Sequence, residues 1–358
     1  MTAIQRLREG NRDGPKPRTA GAAMNLSAGL VQATATHIPL RDESVQCIVT
    51  SPPYWGLRSY AGEQRQVWDD GWYGALGLEP EPAMFVEHIV AIFRECWRVL
   101  RKDGTLWLNL GDSYAGSGKG LYGDGLSHGT EGAKQRTNAG SIGSPYVGQS
   151  GSIPAGSGLK PKDLIGIPWR VALALQADGW WLRSDIVWSK PNPMPESVTD
   201  RPTRSHEYVF LLAKRSQYFY DAVAIKEEAI NEGLLVKASG AAAKNAMADA
   251  INDRRTAAGF TTHDTRIDGR NARSVWQIAT QPYPGAHFAT FPEKLAERCI
   301  LAGSSLESVV LDPFAGTGTT GRVAVRHGRA FVGLDISREY LSEQAAKRID
   351  KVQQAMPL

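Results

Sequence analysis

Residues 50–55, with the sequence TSPPYW, place a hydroxyl, two prolines and two aromatic rings directly after the apolar run VQCIV. Proline has no backbone N–H to donate to a sheet, so Pro52 and Pro53 must end a strand at this point. They also stiffen the turn that carries Ser51 and the exposed ring expected for Tyr54. We interpret this rigid turn, at the carboxyl end of a predicted strand, as a site that holds a flat ligand.

A second turn with chemical potential is the sequence LDPFAGTGTT, residues 311–320. Gly316 and Gly318 let the backbone bend sharply and let a ligand approach it, and the helix predicted next offers free N–H groups. The sequence lacks the lysine of a phosphate-binding P-loop and the G-x-G-x-x-G of a dinucleotide site. It therefore predicts a nucleoside-containing ligand without phosphates. Asp335, 23 residues after Asp312 and at the end of the next predicted strand, suits ribose hydroxyls.

The elements that position the first turn are read from hydrophobic spacing. Short apolar runs on both sides of RDES predict strand, turn and strand before Ser51. The next segment, residues 82–100, has the spacing of an amphipathic helix, and Gly104 is expected to end the connection to a strand TLWLNL. A further helix is predicted in DLIGIPWRVALALQADG, and strands in WWLRSDIVWSK and EYVFLLAK. The apolar face of the first helix consists of Phe85, Ile89, Ile92, Cys96 and Leu100.

The last third of the chain is regular. The sequence TFPEKLAERCILAG predicts a helix that opens with a capping box of Thr290 and Glu293 and stops before Gly303. There follow a strand SVVLD, the glycine turn, a helix TGRVAVRHG, a strand RAFVGLD and a terminal helix opened by Ser337. Alternating strands and helices predict the α/β class, with a parallel sheet covered by helices.

Composition excludes several classes of protein. The chain has 358 residues, 42% of them hydrophobic and 22% charged, as in soluble globular proteins, and we expect one main domain with an insertion. No apolar stretch approaches the ~18 residues of a membrane span. The net charge of +4 permits a polyanionic partner without demanding one. Residues 1–27 lack the apolar core of a secretory signal and are predicted to be a flexible tail.

The three cysteines, Cys47, Cys96 and Cys299, are far apart in apolar contexts. They predict buried thiols in a reducing cytoplasm, and no metal site. Two further segments break the hydrophobic pattern: a glycine- and serine-rich loop, residues 111–159, and a charged island, residues 226–275. We expect the first to be a mobile loop or lid.

SPPYW and DPFAGTGTT together resemble the DNA amino-methyltransferases, enzymes that move a methyl group from S-adenosylmethionine to an exocyclic base nitrogen. TSPPYW is similar to the family's catalytic (D/N/S)PP(Y/F/W) motif and DPFAGTGTT to its cofactor loop. HFATFPEKL and RSHEYVFLLAKRSQYFYD are also similar to family segments, so the resemblance covers most of the chain. It departs at QATATHIPL, which lacks an acidic residue often found there.

The order of the motifs is that of the family's β group. It implies a Rossmann-like S-adenosylmethionine-dependent methyltransferase fold, circularly permuted. On this comparison residues 28–225 form the catalytic half, 276–358 form the cofactor-binding half, and the charged island between them is the target-recognition region. The resemblance implies cofactor-binding roles for Asp312, Phe314, Gly316, Thr317, Gly318, Thr319, Asp335 and His287.

The same resemblance assigns the catalytic turn. An exocyclic amine is a poor nucleophile, and acceptors aimed at its N–H groups favour the reactive form of the nitrogen. We expect the Ser51 hydroxyl and the Pro52 carbonyl to be those acceptors, Pro53 to stiffen the turn, Tyr54 to stack on a flipped base and Trp55 to wall the pocket.

In the family that the chain resembles, serine in the first position of the motif is associated with cytosine N4 as the acceptor, so the resemblance favours that atom. Adenine N6 is the alternative, and an RNA methyltransferase or an inactive DNA-binding relative ranks below both. Methylation at a ring carbon would need a cysteine after proline, and the sequence has no Pro-Cys pair.

The expected partner is double-stranded DNA, in the cytoplasm of a bacterium or from a phage. A restriction endonuclease partner and the choice between monomer and homodimer stay open. Basic side chains in the glycine-rich loop and in the charged island are expected to contact DNA, although for any single residue a solvated surface charge is the simpler interpretation. They are Lys119, Lys134, Arg136, Arg254, Arg255, Arg266, Arg270 and Arg273.

Overall fold

The computed structural model describes residues 28–56, 65–115, 159–160, 162–228, 269–281 and 291–355. These residues build one eight-stranded sheet and a small two-stranded hairpin. The hairpin consists of β3 (Gln66–Val67) and β4 (Tyr73–Gly74). The strands of the large sheet are β1 (Ala28–Gln32), β2 (Val45–Thr50), β5 (Leu100–Leu110), β6 (Trp181–Ser189), β7 (His206–Ala213), β8 (Val275–Gln277), β9 (Val309–Asp312) and β10 (Ala330–Asp335).

The large sheet has the strand order β1-β10-β9-β2-β5-β7-β6-β8. Its first five strands are parallel, whereas β7 lies antiparallel to β5 and to β6, and β8 lies parallel to β6. The predicted α/β class is confirmed. The predicted parallel core consists of β1, β10, β9, β2 and β5, and the sheet continues beyond it through β7, which pairs antiparallel with both β5 and β6.

Helices cover both faces of the sheet. They are α1 (Pro82–Val99), α2 (Ile167–Ala177), α3 (Glu293–Gly303), α4 (Thr319–Arg326), a π-helical turn (Tyr340–Ala345) and α5 (Ala346–Ala355). Side chains alternate across a strand, so β2 sends Ile48 into the core under α1 and α2, and Cys47 and Val49 into the core under α3, α4 and α5. None of the helices in the described residues combines the length and the apolar character that crossing a bilayer requires.

The two turns singled out in the sequence meet at one edge of the sheet. β2 and β9 are parallel neighbours, with Cys47 opposite Val310 and Ile48 opposite Leu311, so their carboxyl ends lie side by side. From β9 the chain passes through α4 to β10 on one side, and from β2 it passes through α1 to β5 on the other. The strand order therefore reverses between β2 and β9, which is the place where open α/β sheets form a ligand crevice.

Three local predictions need correction. The N-cap of α3 is Pro292, with no side-chain hydrogen bond, and not the predicted Thr290, which lies outside the described residues. Gly303 is the last residue of α3 and has no left-handed φ, so it does not end the helix as a cap. Gly104 lies inside β5 rather than before it, next to a shift in register between β2 and β5.

The terminal helix begins as predicted but contains an irregular turn. The Ser337 hydroxyl accepts a hydrogen bond from the Tyr340 N–H at 3.3 Å, as an N-terminal cap does. The helix then widens into the π-helical turn before α5. A π-bulge often marks a functional site. Here it carries Tyr340 and brings Ala345 against the glycine turn after β9.

Gly303 supplies a test of the packing between α3 and the sheet. A Cβ at this position would lie 2.4 Å from Trp107 Nε1 and 2.8 Å from Cys47 Sγ, so Gly303→Ala is expected to lower the free energy of unfolding by about 1–3 kcal/mol. The matched control is Gly29→Ala in β1, where the nearest atom is 4.0 Å away and we expect no loss, or a gain of up to about 1 kcal/mol. Urea unfolding measures both, and equal stability of the two variants would contradict this packing.

Candidate active site

One pocket contains residues from both turns. Ser51 and Pro53 line it from the end of β2, and the glycine turn after β9 lines it from the other side. Asp335 at the end of β10 and Tyr340 of the π-helical turn close it further. The two motifs, 262 residues apart from Thr50 to Asp312, thus form one site. The remaining described lining residues are mostly apolar: Ala33, Thr34, Ala35, Gln66, Trp68, Leu76, Ile92, Phe291, Asp312, Pro313, Phe314, Ala315, Gly316, Thr317, Thr319 and Ile336.

The charge of the pocket is negative. Among the described residues that line it, Asp312 and Asp335 carry charge, and neither lysine nor arginine is present. A phosphate group would meet no neutralising partner there. A ligand with an uncharged nucleoside and a positive centre would instead be stabilised. The residues that line the pocket therefore fit S-adenosylmethionine, which has a cationic sulfonium and no phosphate.

The carboxylate of Asp335 is held by backbone N–H groups, and its oxygens can still accept hydrogen bonds from a ligand. Its Oδ2 accepts the Gly316 N–H at 3.0 Å and its Oδ1 accepts the Ser337 N–H at 2.8 Å. Each carboxylate oxygen can accept a second hydrogen bond, so the pair of oxygens can take the two hydroxyls of a ribose. Burial raises the pKa of this carboxyl above its usual range, although the backbone N–H groups oppose the shift.

Asp312 has a different environment. Its carboxylate is 1% exposed and accepts three hydrogen bonds from the protein: Thr50 Oγ1 at 2.7 Å, Thr320 Oγ1 at 2.6 Å and the Phe314 N–H at 3.0 Å. Burial raises its pKa to about 6. These partners come from β2, from α4 and from the turn between β9 and α4. Asp312 thus joins the two turns, a contact that the prediction of a cofactor-binding role did not include.

The two glycines of the turn have separate roles. Gly316 has φ 48°, lines the pocket and donates its N–H to Asp335. Gly318 has φ 74° and is the N-cap of α4. A Cβ on Gly318 would lie 2.8 Å from the Cβ of Ala345, so this glycine permits the packing of α4 against the terminal helix rather than the approach of a ligand.

The threonines of the turn are held from outside the pocket. Arg348 in α5 donates to Thr317 Oγ1 at 2.7 Å, to the Thr317 carbonyl at 2.9 Å and to Thr319 Oγ1 at 3.2 Å. All three contacts are made by Nη1, so its two N–H groups are shared among the three oxygens and hold the turn in place. The terminal helix therefore takes part in shaping the site, which local sequence patterns did not indicate.

Tyr54 is not the exposed ring that the sequence predicted. It is half-buried and packs so closely on Gly111 that a Cβ there would lie 2.5 Å from Tyr54 Cε2. Its hydroxyl lies 3.1 Å from Ser51 Oγ, 2.8 Å from Glu207 Oε2 and 3.1 Å from Asn109 Oδ1. Sequence reasoning missed Asn109 and Glu207. The sequence offered one signal for each residue: Asn109 is a polar residue within the apolar strand TLWLNL, and Glu207 is a charged residue at the start of EYVFLLAK.

Trp55 also differs from its prediction. The indole is 6% exposed in the core under α1 and donates its N–H to the Glu79 carbonyl at 3.0 Å. It is absent from the described residues that line the pocket, where Trp68 of the small hairpin takes the wall position instead.

The hairpin that carries Trp68 is fixed by a buried histidine. His88 of α1 is 5% exposed, stacks on Trp68 with ring centroids 3.9 Å apart, and lies 2.9 Å from Glu79 Oε1 and 3.2 Å from Asp70 Oδ2. Burial alone would lower the pKa of His88, but its hydrogen bonds and charge interactions with the two carboxylates raise it above its usual value. This cluster holds one wall of the pocket against α1.

Several predicted residues lie outside the described part of the chain: His287 and the basic residues Lys119, Lys134, Arg136, Arg254, Arg255 and Arg266. Arg270 and Arg273 are described, and both pair with Glu227, at 3.3 and 2.8 Å. Backbone hydrogen bonds in both directions between Glu227 and Arg270 bring the two ends of the charged island side by side.

The three cysteines are buried as predicted. Burial raises the pKa of the Cys47 thiol to about 12 and also raises the pKa values of Cys96 and Cys299. A thiol in this state is inert, because the thiolate is the nucleophilic form.

Comparison with known proteins places this site in context. Residues 45–347 match the profile of a family described as DNA methylase. The chain is 44% identical to the type II methyltransferase M.SmaI of Serratia marcescens over 303 residues, covering 85% of this chain and 84% of that protein. It is 44% identical to the type II methyltransferase M.Cfr9I of Citrobacter freundii over 298 residues, covering 83% and 79%.

Two solved structures share the fold. The PvuII DNA methyltransferase, described as cytosine-N4-specific, superposes with a TM-score of 0.54 at 16% identity, over 91% of this chain and 90% of that one. TTHA0409 of Thermus thermophilus, a putative DNA modification methylase complexed with S-adenosyl-L-methionine, superposes with a TM-score of 0.51 at 20% identity, over 91% and 94%.

The buried carboxyl of Asp312 predicts a pH dependence. A carboxyl with a raised folded pKa contributes stability that is complete below its unfolded value of 3.8 and is lost as the pH rises through about 6. We therefore expect the stability of the wild-type protein, relative to Asp312→Asn, to fall by about 1.4 kcal/mol between about pH 5 and pH 7.5. Urea unfolding of both proteins at the two pH values measures this difference, and a constant difference would contradict the prediction.

Proposed function

The chain belongs to the DNA methylase family and is an S-adenosylmethionine-dependent DNA methyltransferase, and we propose that its acceptor is the exocyclic N4 of cytosine in double-stranded DNA. Transfer to an exocyclic amine is supported by one observation: Ser51 and Pro53 line the same pocket as Gly316 and Asp335. In the proposal the first pair belongs to the catalytic turn and the second to the nucleoside site, and direct methyl transfer requires the two to be adjacent.

The cofactor would be held by the residues at the carboxyl ends of β9 and β10. Asp335 would accept hydrogen bonds from the ribose hydroxyls, and the aromatic rings of Phe314 and Tyr340 would pack on the apolar surfaces of the adenosine. When bound, S-adenosylmethionine supplies an electrophilic methyl group. The negative charge of the pocket favours its sulfonium.

The target amine can attack the methyl group only when its lone pair is available on nitrogen. The amine lone pair of cytosine is delocalised into the ring, and acceptors aimed at the two N–H groups draw it back onto nitrogen. In the proposal Ser51 Oγ accepts from one N–H and the Pro52 carbonyl from the other. Pro52 is buried and followed by Pro53, so the direction of its carbonyl is set before the base arrives. As the bond from nitrogen to the methyl carbon forms, the bond from that carbon to the sulfonium sulfur would break, S-adenosylhomocysteine would leave as the neutral thioether, and the amine would lose one proton to water.

The base must leave the DNA stack to reach Ser51, because its amine is inaccessible within a duplex. Tyr54, whose ring packs against Gly111, would stack on the flipped base. Cytosine is favoured over adenine because serine stands in the first position of the motif. The charged island and the glycine-rich loop would contact the DNA around the target.

The test is identification of the methylated nucleoside. Purified protein is incubated with S-adenosylmethionine and mixed-sequence double-stranded DNA, the DNA is digested, and the nucleosides are separated and weighed by mass spectrometry. We expect N4-methylcytosine from the wild type, and a loss of about 10²–10³-fold in rate for Ser51→Ala because an electrostatic contact to the reacting amine is removed.

The control is Ser305→Ala, an exposed serine outside the pocket, which should keep the wild-type rate. N6-methyladenine as the product would contradict the choice of base and leave the mechanism in place. Full activity of Ser51→Ala would contradict the role of the catalytic turn.

A further inference from the structure

We propose that Glu207 is a positioning residue that fixes the direction of a hydrogen-bond chain through Tyr54, so that the oxygen of Ser51 is free to accept from the target amine. The inference rests on the proposed function of Ser51. A serine hydroxyl can donate or accept, and only an accepting oxygen activates the amine. Something must therefore commit the Ser51 proton elsewhere.

The chain of contacts begins at a lysine–carboxylate pair. Glu207 lies in β7 with its side chain 17% exposed, and its Oε1 accepts a hydrogen bond from Lys190 of β6, which is 18% exposed. Its Oε2 lies 2.8 Å from the Tyr54 hydroxyl and 3.2 Å from Asn109 Nδ2. An ionised carboxylate can only accept, so both Tyr54 and Asn109 must donate to it.

The orientation of Asn109 supports the same direction. Its Nδ2 donates to Glu207 Oε2 and, at 3.0 Å, to the carbonyl of Tyr208. With the amide nitrogen used in this way, its Oδ1 faces the Tyr54 hydroxyl, at 3.1 Å, as a second acceptor. The hydroxyl of Tyr54 is therefore next to two acceptors and supplies its single proton to them.

The consequence reaches Ser51. Because the Tyr54 proton points toward Glu207 and Asn109, the hydrogen bond of 3.1 Å between the two hydroxyls must have Ser51 as the donor. The Ser51 proton is then directed at Tyr54, and the lone pairs of Ser51 Oγ remain for the amine N–H in the pocket. Glu207, which does not line the pocket among the described residues, acts only through Tyr54.

Replacement of Glu207 by glutamine should reverse the chain. Lys190 can only donate, so it keeps the glutamine oxygen on its own side and turns the amide nitrogen toward Tyr54 and Asn109. The Asn109 amide must then turn its oxygen toward that nitrogen, which leaves its own nitrogen facing the Tyr54 hydroxyl as a donor. Tyr54 then receives a hydrogen bond and donates to Ser51, whose proton turns toward the pocket and opposes the amine. Size and shape are nearly unchanged, so this variant tests direction rather than packing.

The experiment measures single-turnover methylation of DNA by Glu207→Gln, together with equilibrium binding of S-adenosylhomocysteine and of the same DNA. We expect the rate to fall about 10- to 100-fold, with both dissociation constants within about twofold of wild type. The matched control is Glu43→Gln. Glu43 also pairs with a lysine, Lys102 at 3.7 Å, but lies before β2 at the opposite end of the sheet, and its variant should keep the wild-type rate.

A double-mutant cycle with Tyr54→Phe separates this role from a structural one. Tyr54→Phe keeps the ring and removes the hydroxyl, so it should lose rate by a similar factor, and Glu207→Gln should then add less than about twofold. Losses that multiply in the double variant would overturn the proposal. Wild-type activity of Tyr54→Phe would also overturn it, even if Glu207→Gln proved unstable.

The activity of Ser51→Ala separates a failure of the role of Glu207 from a failure of the role of Ser51. If Ser51→Ala is inactive while Glu207→Gln has the wild-type rate, the positioning role of Glu207 is wrong and the function of Ser51 stands. If Ser51→Ala keeps the wild-type rate, the proposed role of Ser51 fails, and the positioning role of Glu207 fails with it.

Discussion

The shared carboxylate of Asp312 is the contact on which the site depends. It accepts one hydrogen bond from the Thr50 hydroxyl, next to the turn that carries Ser51, and one from the Thr320 hydroxyl, next to the glycine turn. Burial of this carboxylate is costly, as its pKa of about 6 indicates, and hydrogen bonds to a charged group recover about 1.5–3 kcal/mol each. The two turns are therefore joined by side chains as well as by the short pairing of β2 with β9.

The same design recurs around the pocket: a polar or aromatic group that could take several orientations is held in one of them by partners outside the site. Arg348 holds the threonines of the cofactor turn, His88 holds Trp68, and Glu207 holds Tyr54. In the proposed reaction, preorganisation of this kind would lower the reorganisation needed when charge develops on the target amine. The core strands and helices supply the rigidity, and long-range polar contacts supply the orientation.

Local patterns were sufficient for the elements that bury a continuous apolar face. The spacing of Phe85, Ile89 and Ile92 predicted α1, and the alternation of strands and helices predicted β9, α4 and β10. The glycine turn and the absence of a phosphate-binding lysine were sufficient for the class of ligand. Such features depend on neighbours within a few residues, which sequence reasoning can read.

The features that were missed depend on residues far apart in the chain. Tyr54 meets Asn109 and Glu207 across 55 and 153 positions, and no local pattern indicates such a contact. Gly303 was predicted to lie just past the end of α3, whereas it is the last residue of that helix and its lack of a side chain is required by Trp107 of β5. The antiparallel ribbon of β6 and β7 likewise follows from tertiary pairing, which overrides a simple alternation of strands and helices.

The most direct test of the account is a crystal structure of the protein with S-adenosylhomocysteine and DNA that contains its target base. We expect a flipped cytosine with its N4 within about 3.2 Å of both Ser51 Oγ and the Pro52 carbonyl oxygen, and the ribose hydroxyls of the cofactor hydrogen-bonded to Asp335. A target amine hydrogen-bonded to other groups, or a cofactor bound away from Asp335, would contradict it.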